Sequence, residues 1–189
     1  MKVTKKPYSM ELRAAAAEAT HERILNAASE AFLDGWYDDV TIAAIAKRAG
    51  VSGQTLLNHF GNKEALAAAA HKRIGEQIEG LRYTPEPGDV PALVEATVDD
   101  YERTGDAVIR ALALEEKVPA LRPLLERGRQ SHRRWVESMF RAPDLVAELM
   151  VATDVYSWKH LRRDQRLSRE ETLAAMRRMV EALLERRTR

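Results

Sequence analysis

The stretch Ala49–Leu66, AGVSGQTLLNHFGNKEAL, decides how the chain is read. It encloses a short run between two glycines and fills the outward positions of that run with Gln, Thr, Asn and His. Gly50 can take the positive φ of a sharp turn. Ser52 can cap a helix from Gly53 to Phe60 by accepting a free backbone N–H of its first turn. Leu56 and Phe60, four apart, share one face and pack inward. Upstream, Thr41 can cap a helix from Ile42 to Ala49 whose apolar side is Ile42, Ile45, Ala46 and Ala49. Small Ala46 lies four residues before the turn glycine, where two crossing helices need room, and Val51 plugs the gap between them. Downstream, Asn62 caps a further helix, and Lys63 in its first turn is well placed for a phosphate. Two capped helices about a tight turn make a helix-turn-helix, whose second helix enters the DNA major groove. An ordinary helical hairpin with a solvated face is the plainer alternative.

The remainder of the 189 residues agrees with a helical protein. A 45% hydrophobic share is ample for a core, and the absence of cysteine leaves no disulfide framework or thiolate metal site. No run of about 18 apolar residues predicts a membrane span. The start, MKVTKKPYSM, is basic without an apolar stretch behind it, so no secretory signal is expected and the cytosol is the expected compartment. Net charge is +1, its slight basic excess lying in the first 75 residues, which permits nucleic-acid binding there without requiring it.

Almost every segment is rich in Ala, Leu, Glu and Arg with helical periodicity, and no alternating strand is evident. An all-α fold of about nine helices is expected. The first ends near Gly35. TPEPGDVP (84–91) holds three prolines and a glycine and is the best boundary. It separates an N-terminal domain (1–66, with a bridging helix over 62–80) from a C-terminal helical domain (81–189). Asp89 reads as an N-cap with Pro91 in the first turn, Ser168–Glu171 as a capping box. Breaks are expected at Gly105-Asp106, Val118-Pro119 and Ala142-Pro143-Asp144.

From about Thr20 to Leu66 the chain resembles the DNA-binding domain of the tetracycline-repressor (TetR) family. Ile24, Leu25, Ala27, Ala28, Phe32, Gly35, Thr41, Ile45, Ala46, Ala49-Gly50-Val51-Ser52, Thr55-Leu56, His59-Phe60, Lys63-Glu64 and Leu66 carry the likeness. Tyr156–Leu184 also resembles the last two helices of some members. The resemblance implies a cytoplasmic bacterial regulator, usually a repressor, that binds a palindromic operator in double-stranded DNA as a homodimer. A small molecule in the C-terminal domain often releases the DNA. Carried onto this chain, Thr41 and Lys63 meet phosphate, while Gln54, Thr55 and Asn58 meet bases or nearby phosphates; Gly53 opens the same helix. Leu57 stands where the family usually has Tyr, so it offers a thymine methyl or sugar an apolar contact instead. Gln54 is less usual there and suits adenine through its amide. His59 serves either packing or a phosphate.

Two expectations concern the C-terminal domain. Thr97, Tyr101, His132, Trp135 and Met139 fall on helical stripes and are candidates to line a pocket for a small-molecule effector, a satisfied core being the alternative. The helix expected over 144–162 is apolar nearly all round, and a second helix spans 169–185. Val151, Val155, Trp158, Leu173, Met176, Val180 and Leu184 are therefore candidates for a homodimer interface built as a four-helix bundle. No metal site or cofactor is expected, the histidines being scattered. An enzyme, lacking any nucleophile–base constellation or phosphate loop, ranks below an all-α interaction protein with a degenerate helix-turn-helix, and both rank below the DNA-binding repressor.

Overall fold

The computed structural model describes residues 6–187; the basic residues 1–5 and residues 188–189 lie outside it. Among the described residues the chain is helical without strands. The helices are α1 (Lys6–Asp34), α2 (Ile42–Ala49), α3 (Gly53–Phe60), α4 (Lys63–Arg82), α5 (Val90–Ala113), α6 (Arg122–Met139), α7 (Val146–Ala152), α8 (Val155–Lys159) and α9 (Arg169–Arg187). None of the described helices is long and apolar enough to cross a membrane. The chain divides into two compact units, Met1–His71 and Lys72–Arg189, the division falling inside α4.

In the first unit Ile24, Leu25, Ala28 and Phe32 of α1 pack with Ile45, Ala46 and Ala49 of α2, Leu56 of α3, and Leu66, Ala67 and Ala70 of α4. The many alanines allow these short helices to approach closely, and Leu56 and Leu66 are fully buried. His71 closes this unit edge-on to Phe32, with ring centroids 5.7 Å apart. Burial pushes its pKa down to about 4, so the ring is neutral.

The second unit has its own core. Leu93, Val94, Val98 and Tyr101 of α5, Trp135, Val136 and Met139 of α6, Leu149 of α7, Val155 and Trp158 of α8, and Met176 and Val180 of α9 form one cluster. Its ends are capped as the residue types require. Asp89 accepts from Ala92 N at 3.2 Å. Ser168 and Glu171 exchange bonds of 3.1 and 2.8 Å in a complete capping box.

Two expected boundaries are corrected. Gly105 does not break a helix; α5 runs through it unbroken from Val90 to Ala113. The glycine is there because the Trp158 indole lies against it: a Cβ at 105 would stand 2.5 Å from the ring. Conversely, the single helix expected over 144–162 is broken. A 3-10 turn (Pro143–Leu145) leads into α7, which stops at Thr153, and Asp154 starts α8 by accepting from Tyr156 N at 2.8 Å. A short side chain that bonds its own backbone two residues on competes with the helix ladder. A π turn, His160–Asp164, follows α8.

That break changes the reading of the apolar faces. Val155, Trp158, Met176 and Val180 are buried within the single chain, Trp158 and Met176 fully. They are core residues, not an interface, because the turn at Thr153-Asp154 lets one chain cover both sides of the segment. Leu173 and Leu184 are half-buried against the same core. Of the expected interface residues only Val151 is exposed, at 68%, with Tyr156 and Met179 the other exposed large apolar side chains of α7 to α9.

Candidate nucleic-acid interface

The helix-turn-helix forms from local chemistry. Thr41 Oγ1 accepts from Ala44 N at 3.1 Å, and this caps α2. Gly50 ends α2 in the left-handed region, φ 66°, where a side chain would be strained. Ser52 Oγ accepts from Thr55 N at 3.0 Å to open α3. Gly61, φ 79°, ends α3, and Asn62 Oδ1 accepts from Ala65 N at 2.8 Å to open α4. Three caps and two positive-φ glycines thus fix this eight-residue helix and the ends of the helices that flank it. Such a helix is too short to be stable alone. It stands on Leu56, fully buried, and on Phe60, whose ring stacks on His21 with centroids 4.5 Å apart.

The outward face of α3 is polar. Ser52, Gln54 and Asn58 are exposed; Gly53, Thr55, Leu57 and His59 are half-buried. Gln54 Nε2 donates to Asn58 Oδ1 at 3.0 Å, one turn apart. The Thr55 hydroxyl shares a 2.8 Å hydrogen bond with Ser52 Oγ. Leu57 is outside the apolar cluster of this unit. The His59 ring tilts 5.9 Å from that of His21. The Lys63 ammonium lies 4.3 Å over the Tyr37 ring, and this holds it in place as a cation–π pair. The Tyr37 pKa is raised by burial and by Glu64 and Asp38, so its hydroxyl stays protonated. Arg48, at the end of α2, pairs with Glu30 at 2.5 Å. The geometry therefore gathers the expected residues of α3 on one short helix, with Thr41 and Lys63 at the starts of the helices flanking it.

The candidate pocket residues behave differently. Thr97, Tyr101, Trp135 and Met139 are buried and His132 half-buried, but Tyr101, His132 and Trp135 close around a side chain of the chain itself. Arg82, the last residue of α4, donates from Nε to Asp100 Oδ2 at 2.8 Å. Its Nη1 lies 3.0 Å from His132 Nδ1. The guanidinium sits 4.7 Å from the Tyr101 ring centroid and 5.5 Å from that of Trp135. Trp135 Nε1 donates to the Arg82 carbonyl at 2.9 Å, and Tyr101 donates to the Thr153 carbonyl at 3.0 Å. His132 has its pKa lowered to about 4, first by burial and then by Arg82, so its ring is neutral and Nδ1 accepts from the guanidinium. Its Nε2–H is then the donor toward Thr153 Oγ1 at 3.2 Å, and the Thr153 hydroxyl in turn donates to the Leu149 carbonyl oxygen at 2.7 Å. Burial would lower the Arg82 pKa, but Tyr101 and Asp100 outweigh it and hold the guanidinium charged.

The expectation that these five residues line an open cavity is thus corrected: Tyr101, His132 and Trp135 surround Arg82 of a satisfied ion pair, Thr97 donates to the Leu93 carbonyl at 2.9 Å, and Met139 packs in the apolar core. Arg82 and Asp100 were missed in sequence. One signal pointed to Asp100, which falls on the stripe Leu93, Thr97, Asp100, Thr104, Ala107, Ala111 that α5 buries. Nothing local pointed to Arg82.

The sequence comparisons agree with this geometry. Residues 24–70 match the model of the bacterial regulatory proteins of the tetR family. The chain is 35% identical over 115 residues to the HTH-type transcriptional regulator UidR of Escherichia coli K12, covering 56% of this chain and 54% of UidR. It is 35% identical over 77 residues to the HTH-type transcriptional regulator BetI of Stenotrophomonas maltophilia, covering 37% of this chain and 39% of BetI. The chain spans about half the length or less of these curated relatives. A tetR-family transcriptional regulator from Streptomyces coelicolor shares the fold, with a TM-score of 0.76 at 18% identity over 89% of this chain and 81% of that one. From its helix-turn-helix outward, the chain resembles the tetR family of bacterial regulatory proteins, whose model its residues 24–70 match.

Proposed function

We propose that the chain is a transcriptional regulator that acts in the cytoplasm, a repressor that grips double-stranded DNA with α2 and α3, and that it is not an enzyme. The observation that carries this is α3 itself: capped at both ends, seated on fully buried Leu56, and presenting Gln54 and Asn58 outward. In this reading Thr41 and Lys63 contact phosphates, and Gln54, Asn58 and Leu57 face the base edges. Thr55 and Gly53 hold the start of the helix close to the backbone, and His59 supports it from the side.

The operator is proposed to be palindromic and the working form a homodimer, since two recognition helices then reach half-sites about one DNA turn, roughly 34–36 Å, apart or a multiple of it. The exposed apolar side chains Val151, Tyr156 and Met179 support the second unit as the dimer surface. A small-molecule effector is proposed to act on this unit. It would work by binding one arrangement of the Arg82 cluster better than another.

Selection of bound fragments from random duplex DNA by the purified full chain tests the reading. Enrichment of one sequence with two-fold symmetry is the expected result. Recovery of the unselected pool at low salt and high salt alike would leave only the interaction-protein alternative.

A further inference from the structure

We propose that Gln54 is the base-reading residue of this chain, that the base it reads is adenine, and that Asn58 is the positioning residue that aims it. The inference rests on the DNA-binding reading above. The helix Gly53–Phe60, GQTLLNHF, contains no Lys or Arg. The commonest guanine contact, a cation bonding O6 and N7 together, is therefore absent from its face. The hydroxyls of Ser52 and Thr55 are spent on each other and on the cap. The His59 ring is turned toward His21 and half-buried. Gln54 and Asn58 remain as the exposed polar groups within α3.

Their mutual bond gives them unequal roles. Gln54 Nε2 donates one N–H to Asn58 Oδ1 at 3.0 Å. The Gln54 amide keeps its second N–H and both lone pairs of Oε1. An acceptor beside a donor matches adenine, whose N6–H donates and whose N7 accepts. It mismatches guanine, whose O6 and N7 both accept. The bond to Asn58 Oδ1 restrains a side chain that would otherwise lose several rotamers on binding. Leu57, half-buried and outside the apolar cluster, offers the apolar surface that suits a thymine methyl on the same face.

The experiment uses the full-length chain and duplexes selected from random DNA. The expected result is one adenine per half-site whose replacement by guanine weakens binding about tenfold or more, a preference that Gln54→Ala abolishes. Placing 7-deazaadenine at that position removes the N7 acceptor. It should weaken the wild type several-fold and leave Gln54→Ala unaffected. In Asn58→Ala the 7-deazaadenine penalty should shrink while the melting temperature stays unchanged, which a purely structural role for Asn58 would not produce. A guanine at the position that responds to Gln54→Ala, or no position that responds, overturns the proposal and leaves the DNA-binding reading standing. Failure to enrich any sequence overturns that reading and the proposal with it.

Discussion

Gly105 and Trp158 are packed so closely that a single added methyl has no room: a Cβ at 105 would lie 2.5 Å from one indole atom and 2.8 Å from the next. The ring cannot yield easily. It is fully buried, its Nε1 donates to Glu102 at 3.0 Å, and Arg163 covers it at 4.6 Å. Gly105→Ala gains about 1 kcal/mol of helix propensity. Overpacking costs about 1–3 kcal/mol, more where the neighbour is rigid. A net loss of up to about 2 kcal/mol is expected in urea unfolding, and a gain in stability would show that the indole is free to shift.

The Arg82–Asp100 pair sets a second expectation. Both side chains are buried, Asp100 to 1% exposure, and Thr104 donates to the same carboxylate at 3.0 Å. Removing one partner strands the other charge, which costs about 3–5 kcal/mol. Asp100→Leu or Arg82→Met should therefore each destabilise strongly. The double variant should lose less than either single one, because no unpaired charge remains. Chemical unfolding of all three checks this; additive losses would mean the charges are solvated.

Protonation of two histidines ties stability to pH. Burial lowers the pKa of His71 to about 4, and burial with the charge of Arg82 lowers that of His132 to about 4. Each ring therefore binds its proton more readily in the unfolded chain. Their contribution is complete above about pH 6.5 and drains as the pH falls from there to about 4, by up to about 3 kcal/mol per ring. Thermal melts between pH 7 and 4 should show a steep decline, and ring-proton NMR should find two histidines still neutral at pH 5. Titration of all the rings near 6.5 would contradict both placements.

Lys63 and Leu57 divide the DNA contacts into two kinds. Lys63→Ala removes a cation and should weaken binding to all sequences alike, lowering the salt slope by about one. Leu57→Ser should weaken binding to the selected site with little change in melting temperature, since Leu57 lies outside the apolar cluster. A loss of about 2 kcal/mol of stability would instead place Leu57 in the core.

The proposed dimer surface separates two valines four residues apart. Val151 is 68% exposed and Val155 is 5% exposed. Val151→Asp should give folded monomers with weakened operator binding. Val155→Asp should unfold the second unit instead, because it buries an unpaired charge. Sedimentation and circular dichroism on both variants distinguish the outcomes. Wild-type chains that sediment near 21.3 kDa at micromolar concentration would remove the dimer.

The all-α class, the caps at Thr41, Ser52, Asn62, Asp89 and Ser168, and the turn at Gly50 were legible in the sequence. Each of these is a local event. A short polar side chain satisfies a free backbone N–H within three residues, or a glycine takes a φ that other residues resist, so nearby residue types suffice to specify it. The helix-turn-helix is assembled almost wholly from such events, and its outward face could be read before any fold was known.

Tertiary structure decided the rest. Gly105 looks like a helix break until Trp158, 53 residues away in sequence, is found against it. The apolar residues of 144–162 look like an uncovered helix until Asp154 divides them and one chain buries both faces. Tyr101, His132 and Trp135 look like a pocket until Arg82 fills the space between them. In each case periodicity showed that a residue faced inward, but not what it would meet there. Composition within one helix carries no record of which distant side chain shares its space, because burial, pairing and close packing are properties of contacts that only the folded chain creates.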